Sequence, residues 1–200
     1  MRVLFIFPDL SSTVTHYTGA PSYGLASLAA VLRAAGHDVG LRHLTRPPLE
    51  ADFRAAVAAA RPDLVAFSVN SHYARRLATW TAWARDAARA PVVVGGVHAT
   101  LAPEEVAALP AVDFTCVGEG EGALADVCRA LERGADPSRL AGLWVRTPGG
   151  IVRNTPPPLV APTSVSLWMG LALVMVAIAT MQYLVARTVR EAQARAGQEQ

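Results

Sequence analysis

Hydrophobic and polar positions along this chain fall into a repeating pattern. A short apolar run comes first, then a break rich in glycine or proline, then a longer segment with apolar residues at helical spacing. The pattern predicts strands over Val3–Phe7, Val39–His43, Leu64–Val69, Pro91–Val94 and Val112–Val117. It predicts helices over Tyr23–Ala35, Ala51–Ala60, Tyr73–Arg89 and Ala123–Arg133. The first helix carries Leu25, Leu28, Ala29 and Leu32 on one stripe and stops at Gly36; the third carries Leu77, Trp80, Ala84 and Ala87. Parallel strands need crossover helices, so this alternation argues for an α/β fold. The expected form is a doubly wound, flavodoxin-like or Rossmann-like parallel five-stranded sheet in the order 2-1-3-4-5. Past the last helix, Leu143–Arg146, Pro148-Gly149-Gly150 and Ile151–Arg153 read as a C-terminal β-hairpin.

The character of the chain then changes. An α/β domain over 1–154 is expected to give way to a stiff Pro-rich linker over 155–164. Val165 to Ala186 is a run of 22 residues without a charge. At a helical rise of about 1.5 Å per residue it would be long enough to cross a hydrocarbon core of about 30 Å. Trp168 and Tyr183 stand near its ends and Arg187 and Arg190 follow it, so 165–187 reads as one transmembrane helix and 188–200 as a polar tail. The alternative is a buried soluble helix. Arginines after the span would place the tail inside; the N-terminal apolar run, too short for a signal peptide, places the domain in the cytoplasm. The expected location is thus a membrane crossed once, with the N-terminal domain cytoplasmic.

Composition narrows the chemistry. The hydrophobic fraction of 52% is enough for a full core, and a net charge of +2 with basic residues spread along the chain gives no case for nucleic acid. All 18 basic residues are arginine, which excludes lysine-based Schiff-base chemistry. The two cysteines, Cys116 and Cys128, form no C-x-x-C pair and read as buried thiols.

Two of the apolar runs stop in glycine clusters, Gly95-Gly96 and Gly118-Glu119-Gly120. One such cluster reads most simply as a turn. Two at matching strand ends point to a site, because ligands of open parallel sheets sit outside the carboxyl ends of the strands. Glycine there lets backbone and ligand touch.

The same residues carry a resemblance. Val94-Gly95-Gly96-Val97-His98-Ala99-Thr100, then Pro103-Glu104-Glu105, then Val117-Gly118-Glu119-Gly120-Glu121 resemble the N-terminal cobalamin-binding domain of cobalamin-dependent radical S-adenosylmethionine enzymes. The likeness covers about Arg2 to Asn154. It implies cobalamin as cofactor, a corrin disc over the strand ends and a nucleotide tail threaded between sheet and helices. Candidate contacts are Ser68, Asn70, Gly95, Gly96, Val97, His98, Thr100, Gly118, Glu119, Gly120 and Glu121. Gly95 follows Ser68 by 27 residues, similar to the Ser-to-Gly-Gly spacing of cobalamin-binding domains. Ser68 and Asn70 could equally cap the turn into the next helix. Glu119 and Glu121 stand where a helix N-terminus would stabilise carboxylates, and the resemblance places their loop against the tail.

The chain departs from cobalamin domains that ligate cobalt through a histidine in Asp-x-His-x-x-Gly. Here Val14-Thr15-His16-Tyr17-Thr18-Gly19 replaces the aspartate, removing the partner that would orient His16. No protein-supplied lower cobalt ligand is therefore expected, as in the radical-enzyme type. His98 is expected to shape its loop rather than act as a base.

Two rivals remain. Gly118 to Ala123 fits G-x-G-x-x-A of a nucleotide-binding Rossmann-like enzyme, but it follows the fifth strand and sets two carboxylates where a pyrophosphate would lie. A complete radical methyltransferase would need C-x-x-x-C-x-x-C, and these two cysteines build no iron–sulfur cluster. The expected function is a membrane-tethered cobalamin-binding module, not catalytic alone, that serves a separate radical-enzyme partner; a truncated remnant with no ligand is the other choice.

Overall fold

The structure is a computed structural model and describes residues 1–10 and 22–156. Its frame is one mixed sheet of seven strands in the order β2-β1-β3-β4-β5-β6-β7. β1 (Arg2–Pro8), β2 (Asp38–Leu44), β3 (Leu64–Ser68), β4 (Val92–Gly95) and β5 (Phe114–Cys116) run parallel. β6 (Leu143–Thr147) and β7 (Gly150–Arg153) continue the sheet antiparallel. The parallel part has the expected order. The hairpin differs from the expected appendage: it is hydrogen bonded to β5 and extends five strands to seven. Phe114 pairs with Val145 and Cys116 with Leu143, and both hairpin residues are buried.

Each face of the sheet is covered because alternate strand residues point to opposite sides. Leu4, Ile6, Val65, Phe67, Val92 and Val94 face helices α2 (Glu50–Ala60) and α3 (Ala74–Ala88), meeting Phe53, Val57, Leu77 and Trp80. Val3, Phe5, Ala66, Val93, Phe114 and Cys116 face α1 (Tyr23–Ala34) and α6 (Gly120–Glu132), meeting Leu25, Leu32, Leu124 and Val127.

Local chemistry sets the boundaries. Ser22 caps α1, its hydroxyl accepting the Leu25 N–H at 3.3 Å. Pro62 follows α2, which ends with Arg61 in the left-handed region at φ 46°. Between β4 and β5, where the sequence pattern suggested only a connection, stand two short helices, α4 (Val97–Leu101) and α5 (Pro103–Ala108). The Arg146 guanidinium reaches from β6 to the carbonyls of Ala107, Leu109 and Val112 and fixes the end of α5.

The expectation of a single-pass membrane protein is corrected here: among the described residues no helix is long and apolar enough to cross a membrane. The segment on which that expectation fell, 165–187, lies outside the described residues, as do 157–164 and the tail 188–200.

The hairpin's place in the sheet makes a prediction. Leu143 is fully buried, so Leu143→Ala should cost about 2–5 kcal/mol of stability in urea unfolding. A cost near zero would mean that the hairpin only flanks the core.

Candidate functional site

The C-terminal ends of β3, β4 and β5 converge on one surface. Ser68 and Gly95 are register partners across β3 and β4. Beyond them the chain turns at Gly96, whose φ of 94° and ψ of −175° are open essentially to glycine alone. A Cβ there would stand 2.8 Å from both the N and the O of Val69. The backbone bonds that lock this corner are Val69 N–H to Gly95 O at 3.0 Å and His98 N–H to Val69 O at 3.0 Å. Gly96 therefore serves close backbone packing. Gly95 is different, since a Cβ there meets only Cys116 Cβ at 3.4 Å and would project over the sheet face.

Thr100 joins the two glycine loops. Its hydroxyl donates to Gly96 O at 3.2 Å and accepts the Gly118 N–H at 3.1 Å. Gly118 has a φ of 87° and turns the chain into α6, whose N-cap is Glu119. α6 starts at Gly120, earlier than the sequence pattern suggested, so Glu121 lies in its first turn. Gly120 lets α6 approach α1, because a Cβ there would stand 3.1 Å from Leu28 Cδ2.

These elements enclose two adjoining spaces. An inner cleft of about 160 Å³ lies between the sheet and helices α1 and α6, lined by Phe5, Gly24, Leu28, Ala66, Ser68, Val93, Gly95, Cys116, Gly120, Glu121 and Leu124, among others. An outer bowl of about 530 Å³ covers the strand ends and shares Gly24, Ser68, Gly96, Gly118 and Glu119 with the cleft. Asn70, Val97, Thr100 and Leu101 complete its rim, where Val97 and Leu101 are exposed apolar side chains.

All the sequence-predicted site residues line one space or the other except His98. His98 is buried, its Nδ1 3.3 Å from Ser71 Oγ and its Nε2 3.8 Å from Glu105, so it braces α4 against its neighbours. Asn70 caps the short 3-10 turn Ser71–Tyr73, its side chain accepting the His72 N–H at 3.1 Å. Ser68 Oγ has no hydrogen-bond partner among the described residues and stands at the junction of cleft and bowl. The loop with Val14, His16 and Gly19 lies outside the described residues. Sequence reasoning missed Gly24, Ala66, Cys116 and Leu124 as lining residues. Strand alternation signals two of them: Ala66 must share a face with Ser68, and Cys116 belongs to the strand that ends at Gly118.

Burial governs the thiols. It pushes Cys116 up to about 12, with Glu121 and Glu119 adding to the effect. It also pushes Cys128 up to about 11, against the N-terminal ammonium and with Glu132. Both thiols are neutral and unreactive at neutral pH. Iodoacetamide at pH 8 should leave both cysteines unmodified in the native protein and label both after denaturation; labelling at the unfolded rate would refute the burial. The linkage has one sign. Native thiols keep their protons while unfolded thiols ionise from about pH 8.5, so stability should fall as pH rises from about 9 toward 11–12.

Comparison with known proteins sets this geometry in context. The B12 binding domain family matches residues 13–128. No curated protein matches the chain in sequence. Among solved structures, the chain is similar to the radical S-adenosylmethionine methyltransferase TsrM from Kitasatospora setae with tryptophan substrate and an S-adenosylmethionine analogue bound. That likeness has 25% identity, a TM-score of 0.67 and coverage of 78% of this chain and 30% of TsrM. TsrM has also been solved with cobalamin and a 4Fe–4S cluster bound. The cobalamin-dependent S-adenosylmethionine radical enzyme OxsB, with aqua-cobalamin and S-adenosylmethionine bound, shares the fold at 16% identity and a TM-score of 0.67, over 78% of this chain and 22% of OxsB. The chain thus spans less than a third of the length of either enzyme. Family match, strand order and the small-residue cleft at the strand ends agree: the chain belongs to the B12-binding domain family.

Proposed function

We propose that this chain binds cobalamin through the cleft and bowl at its strand ends and presents it to a separate radical S-adenosylmethionine catalytic unit. The observation that carries the reading is the cleft itself. Where large side chains would ordinarily fill the space between sheet and helices, the floor is Ala66, Ser68 and Gly95, and α6 approaches at Gly120. Cobalamin's nucleotide tail is long and thin and needs such a slot; its corrin disc is broad and needs the wider surface of the bowl.

When bound, cobalamin supplies a cobalt centre that carries and hands on a one-carbon group. The chain's own residues bind and orient. Ser68 offers a hydroxyl that is unpaired among the described residues, at the junction of the two spaces, and Gly95 keeps the passage open. Glu119, at the junction of bowl and cleft, is an acceptor for the amide N–H groups that ring a corrin, and Glu121 lines the cleft. Val97 and Leu101 give the bowl an apolar rim against a flat macrocycle. Thr100 holds the two loops at fixed separation. The lower cobalt face is proposed to receive no ligand from the protein: His98 is turned away, and no histidine is among the described lining residues of either space.

A nucleotide reading fits less well. Neither space has an arginine among its described lining residues, and the cleft carries two carboxylates. A pyrophosphate would be repelled there.

Mixed with hydroxocobalamin, the full chain should retain the pigment through gel filtration with a spectrum lacking an axial imidazole or benzimidazole ligand; a colourless protein would refute the reading. Gly95→Val should abolish retention with its melting curve nearly unchanged, because the added methyls enter the cleft. Gly96→Val should instead unfold or strongly destabilise the domain, since it clashes with Val69 and demands a backbone conformation costing about 1–3 kcal/mol. Thr100→Val should weaken retention and Thr100→Ser should restore it. Equal behaviour of those two variants would show that the bridging hydroxyl has no part in holding the loops.

A further inference from the structure

We propose that the outer edge of β2 is a surface for self-recognition, through which two copies of the chain pair β2 with β2, antiparallel about a two-fold axis, and join their sheets. β2 ends the sheet on one side. It runs seven residues in unbroken register with β1, from Asp38 opposite Arg2 to Leu44 opposite Pro8. Edge strands are usually blunted by a bulge, a proline or a short length, and β2 has none of these. The strand at the opposite end, β7, has four residues.

The main chain shows which groups stand free. Asp38 N–H donates to Met1 O at 2.9 Å, and Leu44 O accepts the Asp9 N–H at 2.8 Å. Residues bonded to one neighbour alternate along a parallel strand. Asp38, Gly40, Arg42 and Leu44 therefore turn their backbone groups toward β1, and Val39, Leu41 and His43 turn theirs outward. A second β2 meets those outward groups where Val39 of one copy faces Leu41 of the other. The two residues exchange both N–H···O bonds, and symmetry repeats the exchange. Val39 O already accepts Arg33 at 3.2 Å, and its second lone pair stays open.

The side chains favour this same register. Its axis passes between Gly40 and its symmetry mate and sets Asp38 opposite Arg42 at non-hydrogen-bonded positions, where facing side chains come closest. The run Asp38-Val39-Gly40-Leu41-Arg42 is self-complementary on reversal: acid meets base, apolar meets apolar, glycine meets glycine. A shift by two residues would set Arg42 against Gly40 and leave both charges unmatched. Arg42 is exposed and has no partner among the described residues. The Asp38 carboxylate meets only Arg2, at the surface, at 3.2 Å. On the other face Leu41 is 58% exposed, beside a groove of about 310 Å³ between α1 and β2 that Leu25, Ala29 and Val39 help to line. Leu41 of the second copy would stand against Val39 at its open side. Gly40 also finds its use. A Cβ there would meet only Leu4 Cδ1, at 3.4 Å, and the backbone has no left-handed φ, so no contact among the described residues demands glycine. Glycine inside a strand often marks the close approach of another backbone. Because the axis reverses the strands, the strand-end sites of the two copies open at opposite edges of the joined sheet.

Sedimentation velocity of the full chain over a concentration series at low salt should show a monomer–dimer equilibrium. Arg42→Asp and Asp38→Arg should each weaken the dimer about tenfold or more, because like charges then face each other twice. An equimolar mixture of the two variants should restore a dimer of wild-type affinity, since both facing pairs are again complementary. Both side chains are exposed, so melting curves should match the wild type. Leu41→Lys, also at an exposed position, should favour the monomer as well. A wild-type chain that stays monomeric overturns the proposal and leaves the edge to an extended segment of another protein. A dimer that survives every single variant overturns it too, and a mixture that stays monomeric overturns the register. None of these outcomes bears on retention of the corrinoid.

Discussion

The arrangement depends on one close approach of backbone to backbone. At the ends of β3 and β4 the chain at Gly96 passes so near Val69 that a single Cβ would overlap its N and O. Two main-chain hydrogen bonds close this corner, and Thr100 carries the constraint across to Gly118 at the end of β5. The loops that leave three strand ends are thereby tied together by backbone and one hydroxyl. That is the physical condition for a broad, shallow surface at a sheet edge. Bulk at position 96 would separate the strands, and bulk at position 95 would fill the cleft they border.

The two faces of the sheet are built for different ends. On one side Phe53, Phe67, Tyr73 and Trp80 interlock with Leu77 and Ile6 in a dense cluster that carries most of the large aromatic burial. On the other, the residues nearest the strand ends are Ala66, Gly95, Cys116, Gly120 and Ala123. Both faces carry a full cluster of buried residues, and the small residues are confined to the strand ends under α1 and α6. The hairpin serves the same economy. Leu143 and Val145 bury the flank of β5, and Arg146 fixes the connection that leads into it.

Much of this was legible in the sequence. The alternation of short apolar runs with helical stripes established the parallel order, because crossover helices allow few alternatives. The glycine pairs marked the strand ends that matter. Several features were not legible, for physical reasons. Gly95 and Gly96 look alike in sequence, yet only coordinates show that one borders open space and the other backbone. The bridging role of Thr100 joins positions 18 residues apart through a hydroxyl, and no spacing rule signals it. The hairpin was visible as a hairpin, but its pairing to β5 depends on which edge stood open. His98 carries no mark of the Ser71 and Glu105 contacts that turn it from the bowl. The apolar run after Val165 satisfied the length and charge criteria for a span, but those criteria describe composition and establish no fold.

A cleft floored by small residues leaves packing unfinished, and unfinished packing has a thermodynamic reading. Contacts that neighbouring side chains would have made around Gly95 and Ala66 are forfeited in the free protein, since a wall without atoms opposite it loses its dispersion energy. A ligand that fits restores them, and because only the folded chain presents the cleft, each gain in affinity is also a gain in stability by mass action. Binding and folding are then two views of one core, completed from inside by side chains on the α2–α3 face and from outside by a cofactor on the other. The same logic explains the placement of the charges. Carboxylates stand at the partly exposed start of α6, while the thiol at the floor is kept neutral by its burial. The floor of the cleft is therefore uncharged, and the charges that line it stand at the start of α6.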